Sequence, residues 1–354
     1  MKKSLTIHDI AKIADVSSAT VSRVLSNSSY PVSPELRSKI LRIAKEHNYV
    51  PNLLGKQLKT KTSMTIGVII PTITNSFYSS VILGVEEIAR KNNYQVLLCN
   101  SFQNPELEDK YIQGMFEKQV RGLIISSISS DKKQLKHFID MGLNVVALDQ
   151  KMDMPDVCEV DFDYNKGGYM ATRHLIGKGH KHIAYVTAPL DRPSRLSIHN
   201  GYLTAMREAG LEPLVEEGGR ESYSGTYEFE NGKMLTRRLM NGGWRPSAIF
   251  ACNDMTAFGV VGELAALGLK VPQDVSVMGF DGIDFGQMIT PPLTTVLQPT
   301  YEMGRIACDM LLDMLLDGKK PNSGIMLLPE LLERDSVAEP SVGPAAETAA
   351  GTMH

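Results

Sequence analysis

Between Thr6 and Leu25 the chain reads TIHDIAKIADVSSATVSRVL, and its small and apolar residues fall where two short helices must cross at a tight turn. Ile10, Ala11 and Ala14 give the first helix an apolar face, Val21 and Val24 give the second, and Ala11 is small where the two approach most closely. Thr6 with Asp9 forms an N-terminal capping pair, and Ser17 is positioned to cap the second helix. Asp15 stands at the turn, where the backbone must enter the left-handed region that Asp tolerates better than most residues. The stretch therefore predicts a helix-turn-helix whose second helix exposes Ser18, Ala19, Ser22 and Arg23, side chains able to meet base edges in a major groove.

Charge supports that direction. Residues 1–61 carry eleven Lys and Arg against four Asp and Glu, a net +7, whereas the whole chain is at −3, so the remainder is at −10. A basic module on an acidic body directs a polyanion to one end only. A third helix is expected from Ser33-Pro34-Glu35, which supplies cap, N1 proline and first-turn acid, to about His47, with Ile40, Leu41 and Ala44 on its buried face. After the break at 48–52, LLGKQLKTKTS has one apolar and one basic face, too short to be a stable helix in water without a partner.

From Met64 the texture changes to apolar runs alternating with amphipathic helices, the pattern of parallel α/β domains. Strands are expected at 65–70, 95–99, 122–126 and 144–148, then at 183–187, 248–252 and 275–280. Helices are expected near 77–92, 106–118, 131–141, 164–178, 195–209, 226–241 and 254–267. The two series read as one unit used twice, with small polar clusters closing the strands: Thr72 to Asn75, Ser126-Ser127, Asp149-Gln150, Asn253-Asp254 and Asp281. In open parallel sheets ligands bind outside the carboxyl ends of the strands, so two facing sheets would gather these groups around one cleft. The 336–354 tail, rich in Ala, Pro, Glu and Gly, is expected to be disordered.

The four cysteines lie far apart with no C-x-x-C pair, and His174, His180 and His182 span a helix end and a strand start, so neither a metal nor a cofactor is expected. No apolar run reaches the roughly 20 residues of a spanning helix and no signal-peptide core is present, which leads to the expectation of a cytoplasmic protein without membrane contact. An enzyme reading finds no dinucleotide, P-loop, nucleophile-elbow or zincin motif.

TIHDIAKIADVSSATVSRVL, YVPNLLGKQLKT, GVIIPTITNSFY, GHKHIAYV, FACNDMTAFGV and VMGFDGIDFG with PPLTTVLQP, in this order and spacing, make the chain resemble the lactose-repressor/galactose-repressor (LacI/GalR) family up to Arg334. The resemblance implies a multidomain protein: an all-α helix-turn-helix headpiece (1–52), a hinge helix (53–63), and a body of two Rossmann-like, parallel-sheet α/β subdomains of periplasmic-binding-protein type I (64–162 with 292–324, and 163–291 with 325–335). It implies a transcriptional regulator, a repressor by expectation, that as a homodimer binds a near-palindromic double-stranded DNA operator and responds to a sugar or sugar derivative. By the same resemblance Ser18, Ala19 and Arg23 match base-reading positions, Thr20 and Ser22 lie near phosphate, and Thr6, Ser17, Asn27, Lys56 and Lys59 complete the DNA-binding set around Leu58, which matches a leucine wedged into the minor groove. The effector set is Asn75, Phe77, Tyr78, Ser126, Asp149, Arg195, Asn253, Asp254, Asp281 and Gln298. Two departures stand out: Ile198 where many sugar-responsive members have Arg, and Gly282 in place of a second Asp. The alternatives are a body serving a protein corepressor, an α/β enzyme, and a stand-alone sugar-binding protein.

Overall fold

A computed structural model of the chain describes residues 5–26, 30–49, 63–219, 226–242, 245–319 and 324–341. It divides into two compact units, 1–62 and 63–354.

In the first unit, α1 (Ile7–Ala14), α2 (Ser18–Leu25) and α3 (Pro34–Glu46) close around Ile10, Ala11, Ala14, Val21, Val24, Ile40 and Ile43. The capping box forms: the Asp9 carboxylate accepts from the Thr6 backbone at 2.8 Å and from its hydroxyl at 2.7 Å. Ser17 caps α2 by accepting from Thr20 N at 3.1 Å. Asp15 takes the left-handed conformation, φ 60° and ψ 50°, and Lys39 Nζ donates to the Ala14 carbonyl at 2.9 Å, tying α3 to the turn. Leu41, expected in the core, is exposed, and Ile43 occupies that face instead. On a helix of 3.6 residues per turn 40, 43 and 44 share one stripe, whereas 41 lies about 100° away from 40.

The second unit is built on two six-stranded sheets. β1 (Thr65–Ile70), β2 (Gln95–Asn100), β3 (Gly122–Ile125), β4 (Asn144–Leu148), β5 (Cys158–Phe162) and β11 (Ile325–Leu327) form the first, in the order β11-β5-β4-β3-β1-β2, every pair parallel. β6 (Ile183–Thr187), β7 (Leu214–Glu217), β8 (Ala248–Ala251), β9 (Ser276–Asp281), β10 (Thr294–Leu297) and β12 (Glu330–Leu332) form the second, in the order β12-β10-β9-β8-β6-β7, parallel except for β12. β6 and β8 are buried along their whole length and β1 from Ile66 onward, which is why they appear as unbroken apolar runs in the sequence.

Helices cover the sheets: α4 (Ser76–Lys91), α5 (Pro105–Glu117), α6 (Lys133–Asp140) and α11 (Thr300–Asp317) on the first, α7 (Tyr164–Gly177), α8 (Pro193–Glu208), α9 (Tyr227–Asn241) and α10 (Asp254–Ala266) on the second. Three helix pairs cross at paired glycines, Gly84 with Gly304, Gly168 with Gly201 and Gly232 with Gly259. A Cβ on any of the six would lie 2.0–2.2 Å from a carbonyl oxygen of the opposite helix. Contact that close requires glycine on both helices.

The chain crosses between the sheets three times, at 163, at 298–299 and at 328–329, and this corrects the expected boundaries. Thr294–Leu297, expected in the first subdomain, pairs with β9 of the second, and Ile325–Leu327, expected in the second, pairs with β5 of the first. Strands of three or four residues carry no local mark of the sheet they join; long-range pairing alone decides it. The start of the expected disordered tail is also ordered: Ser336 is fully buried, its hydroxyl donates to the Val277 carbonyl at 2.6 Å, and its own carbonyl accepts from Val277 N at 2.8 Å. Residues 342–354 lie outside the described residues.

Candidate functional site

Two sites follow from these units, one on each. On the headpiece, Ala19, Ser22 and Arg23 are exposed on one side of α2, with Ser18 and Thr20 half-buried beside them. The Thr6 and Ser17 hydroxyls are engaged in the caps of α1 and α2, and Ser18 Oγ lies 3.3 Å from His8 Nδ1. The Arg23 guanidinium stacks over the Tyr30 ring at 4.0 Å, which holds a long, flexible cation against the motif. Tyr30 is a residue that sequence reasoning missed. A capped helix start with outward N–H groups and an adjacent cation is suited to phosphate and base edges. Asn27, Lys56, Leu58 and Lys59 lie outside the described residues.

In the body, the carboxyl ends of the two sheets face each other across a cleft of about 550 Å³, counting space open to solvent. Asn75, Phe77, Tyr78, Asp149, Arg195, Asn253, Asp281 and Gln298 all line it. Thr72, Gln103, Gln150, Tyr164, Arg192, Ser194, Ile198, Glu228 and Cys252 complete the wall. Two residues expected in the cleft do not line it. Ser126, 1% exposed, lies beneath Asp149 and donates to its Oδ2 at 3.2 Å. Asp254, fully buried, braces the loop after β9: Ile283 N donates to its Oδ2 at 2.8 Å and Thr295 Oγ1 to its Oδ1 at 2.6 Å. Adjacent residues at a helix start face different ways, and here Asn253 caps α10 by accepting from Thr256 N at 2.8 Å and reaches the cleft, while Asp254 turns inward.

Asp149 is the polar hub of the first sheet. It sits at the end of β4 in left-handed backbone, φ 68°. Its Oδ2 accepts from Tyr78 OH at 2.7 Å, Ser126 Oγ at 3.2 Å and Gln150 Nε2 at 2.8 Å, and its Oδ1 accepts from Tyr164 OH. Four donors share its two oxygens, three of them on Oδ2 and one on Oδ1. Burial pushes both phenols well above their ordinary range, with the Asp149 charge adding to the shift.

Asp281 ends β9 in the second sheet, φ 115°. Gln298 Nε2 donates to its Oδ1 at 2.8 Å. Burial raises its carboxyl well above the usual carboxylate range, and the neighbouring charges of Asp254, Glu228 and Asp149 raise it further. Burial likewise pushes the Asp254 carboxyl up to about 7 against its hydrogen bonds.

Besides Tyr164 on Asp149, side chains of the two walls meet through Gln150 and Asn75. Gln150 Nε2 donates to Ser194 Oγ on α8 at 2.9 Å, and Asn75 Nδ2 donates to Glu228 Oε2 on α9 at 3.4 Å. Arg195 NH1 donates to the Pro189 carbonyl at 3.2 Å, and its guanidinium lies 3.6 Å from Asp191 and 3.8 Å from Glu228. Ile198 makes that part of the wall apolar. No group of three or more metal-ligating side chains occurs among the described residues. None of their helices is long and apolar enough to cross a membrane. Gln150 and Tyr164 were missed as site residues, although Gln150 was legible as part of a strand-closing cluster; Tyr164, at the crossover behind β5, carries no local signal.

Comparison with known proteins agrees with this two-part architecture. Residues 6–52 match the profile of bacterial regulatory proteins, lacI family, and residues 172–337 match that of a periplasmic binding protein-like domain. The ribose operon repressor of Escherichia coli (strain K12) is 35% identical over 335 residues, 94% of this chain and 99% of the relative. Catabolite control protein A of Priestia megaterium is 34% identical over 333 residues, 93% of this chain and 98% of the relative. Among solved structures, the lac repressor dimer bound to operator and the anti-inducer ONPF is similar with a TM-score of 0.84 at 26% identity, covering 95% of this chain and 100% of that one. A LacI family transcriptional regulator from Enterococcus faecium with bound ribose has a TM-score of 0.70 at 28% identity, covering 78% of this chain and 99% of that one.

Proposed function

The chain belongs to the lacI family of bacterial regulatory proteins, and from that premise we propose that it is a cytoplasmic, non-enzymatic repressor, acting as a homodimer on a near-palindromic operator, whose DNA affinity is set by a sugar held in its cleft. The observation that carries this reading is the union, in one chain, of a capped helix-turn-helix presenting Ala19, Ser22 and Arg23 with a cleft lined by amides and carboxylates from two sheets. Vicinal hydroxyls both donate and accept, which is what Asn75, Gln150, Asn253, Asp281 and Gln298 require, and Phe77 and Ile198 offer apolar surface to a sugar ring. A pentose is the first candidate, because relatives include a ribose operon repressor and a regulator with bound ribose. Exposed apolar side chains, Leu83 and Phe102 on the first subdomain and Phe285 and Met288 on the second, are surface that a second copy would cover.

The three crossings are the hinge of the mechanism. A ligand bridging Asn75 and Asp281 favours one angle between the sheets, and it can change DNA affinity only by its different affinity for the two arrangements.

The test is fluorescence anisotropy on a duplex selected from a random pool by the full-length protein. Affinity is expected to fall by about two orders of magnitude or more between 50 and 200 mM salt, as counterion release demands, and a neutral sugar is expected to change it by about 5- to 150-fold. Binding that ignores both salt and sugars, or that survives removal of residues 1–62, overturns the reading.

A further inference from the structure

On α2 the outward side chains are short: Ser18, Ala19 and Ser22 cannot span the two acceptors of a base, and Arg23 is the one long donor beside them. An arginine is also the hardest of these to order, because several torsions must be fixed at once. The headpiece meets this with a ring. Arg23 Cζ lies 4.0 Å from the centre of the Tyr30 ring, over its face, well inside the range of a cation–π contact. Tyr30 is 52% exposed, so the pair stands at the surface and not in the headpiece core.

The chain on both sides of the ring is tied down. Before it, Ser26 closes α2, its N–H donating to the Ser22 carbonyl at 2.9 Å and its hydroxyl to the Arg23 carbonyl at 3.3 Å. After it, Val32 packs on the headpiece core and Ser33 caps α3, accepting from Leu36 N at 3.3 Å. Pro31 fixes its own φ and restricts the backbone of Tyr30 to extended forms. A tyrosine ring turns about fewer bonds than an arginine, so less freedom is lost in holding it still. Stacking occupies the face of the guanidinium and leaves the in-plane N–H groups at its rim able to donate as a fork. The acceptors that match such a fork in a major groove are guanine O6 and N7.

Resting on the DNA-binding reading above, we propose that Tyr30 is a positioning residue for operator recognition: its ring orients the Arg23 guanidinium toward one base pair of each half-site and so sets how strongly that pair is read. Tyr30 touches no base; it acts through Arg23, by reducing the freedom that Arg23 loses when it binds. A surface contact of this kind corresponds to about 2- to 5-fold per headpiece, hence to about 4- to 25-fold where two headpieces bind together.

The experiment is fluorescence anisotropy of the full-length protein on the selected duplex and on duplexes changed symmetrically at one base pair per half-site. Arg23→Ala identifies the pair that Arg23 reads, as the one whose change no longer matters, and a G·C pair is expected. At that pair Tyr30→Ala and Tyr30→Leu are both expected to lose about 4- to 25-fold of discrimination. Tyr30→Phe, which keeps the π face without the hydroxyl, is expected to stay within about twofold of the parent. Discrimination at the other pairs and the salt slope are expected to hold, since no phosphate contact is removed. In an Arg23→Ala background Tyr30→Ala is expected to change nothing further. Full discrimination in Tyr30→Ala and Tyr30→Leu overturns the proposal, as does a loss that persists without Arg23, a loss equal at every base pair, or a Tyr30→Phe variant as weak as Tyr30→Ala. Collapse of binding to every duplex in both Tyr30→Ala and Tyr30→Leu makes Tyr30 a structural residue and overturns it as well. A parent that selects no duplex overturns the DNA-binding reading and this proposal together, so the parent alone tells the two failures apart.

Discussion

Asp149 and Asp281 occupy matching places in the two halves of the body: each ends a strand, each has positive φ, and each is 8% exposed. Their surroundings are opposite. Asp149 accepts from Tyr78, Ser126, Gln150 and Tyr164, whereas Asp281 meets Gln298 and the like charges of Asp254 and Glu228. The repeated fold thus sets where a carboxylate stands, and the neighbours decide what it does. Asp149 is part of the frame; Asp281 keeps acceptor capacity for a ligand.

The largest effect that separates them is on stability. Asp149→Ala removes the acceptor of three hydroxyls and an amide; Tyr164 loses its partner outright, while Tyr78 and Ser126 keep each other and Gln150 keeps Ser194, and since an unsatisfied buried donor costs about 1–3 kcal/mol, urea unfolding is expected to show a loss of about 2 kcal/mol or more. A loss below about 1 kcal/mol would mean that the tyrosines find other partners and that the two aspartates are alike.

A smaller effect concerns pH. The folded Asp254 carboxyl is raised to about 7 from an ordinary 3.8, so its contribution to stability is fully present below 3.8 and is lost as pH rises to about 7. Asp254→Asn cannot titrate, so its stability relative to the parent is expected to rise between pH 4 and 7 and to level off above. A flat difference across that window would show that the hydrogen bonds from Ile283 and Thr295, and not burial, govern the group.

The headpiece was legible almost residue by residue, because caps, turn and apolar stripe are local: Thr6, Asp9, Asp15 and Ser17 act within four residues of themselves. The exception, Leu41 for Ile43, is an error of helical phase. In the body the buried central strands were legible as apolar runs, but β5, β7, β10, β11, β12 and α11 were not, since short strands and a helix with apolar residues on several sides depend on tertiary pairing. The cleft was legible at strand ends. Which member of a polar pair turns outward was not: Asn253 faces the cleft and Asp254 the loop, whereas Asp149 and Gln150 both line it. Tyr164 reaches Asp149 from across a crossover, a contact no local pattern encodes.

The division of labour between the two aspartates is tested most directly by thermal unfolding of Asp149→Asn and Asp281→Asn, with and without the neutral sugar that gives the largest shift. Taking about 2–4 °C per kcal/mol for a unit of this size, Asp281→Asn is expected to keep its unliganded midpoint within about 2 °C and to lose most of the sugar-induced shift. Asp149→Asn is expected to lower the unliganded midpoint by about 4 °C or more. The reverse pattern, a destabilised Asp281→Asn that still responds to sugar beside a stable Asp149→Asn that does not, would contradict the assignment of frame and ligand-facing roles.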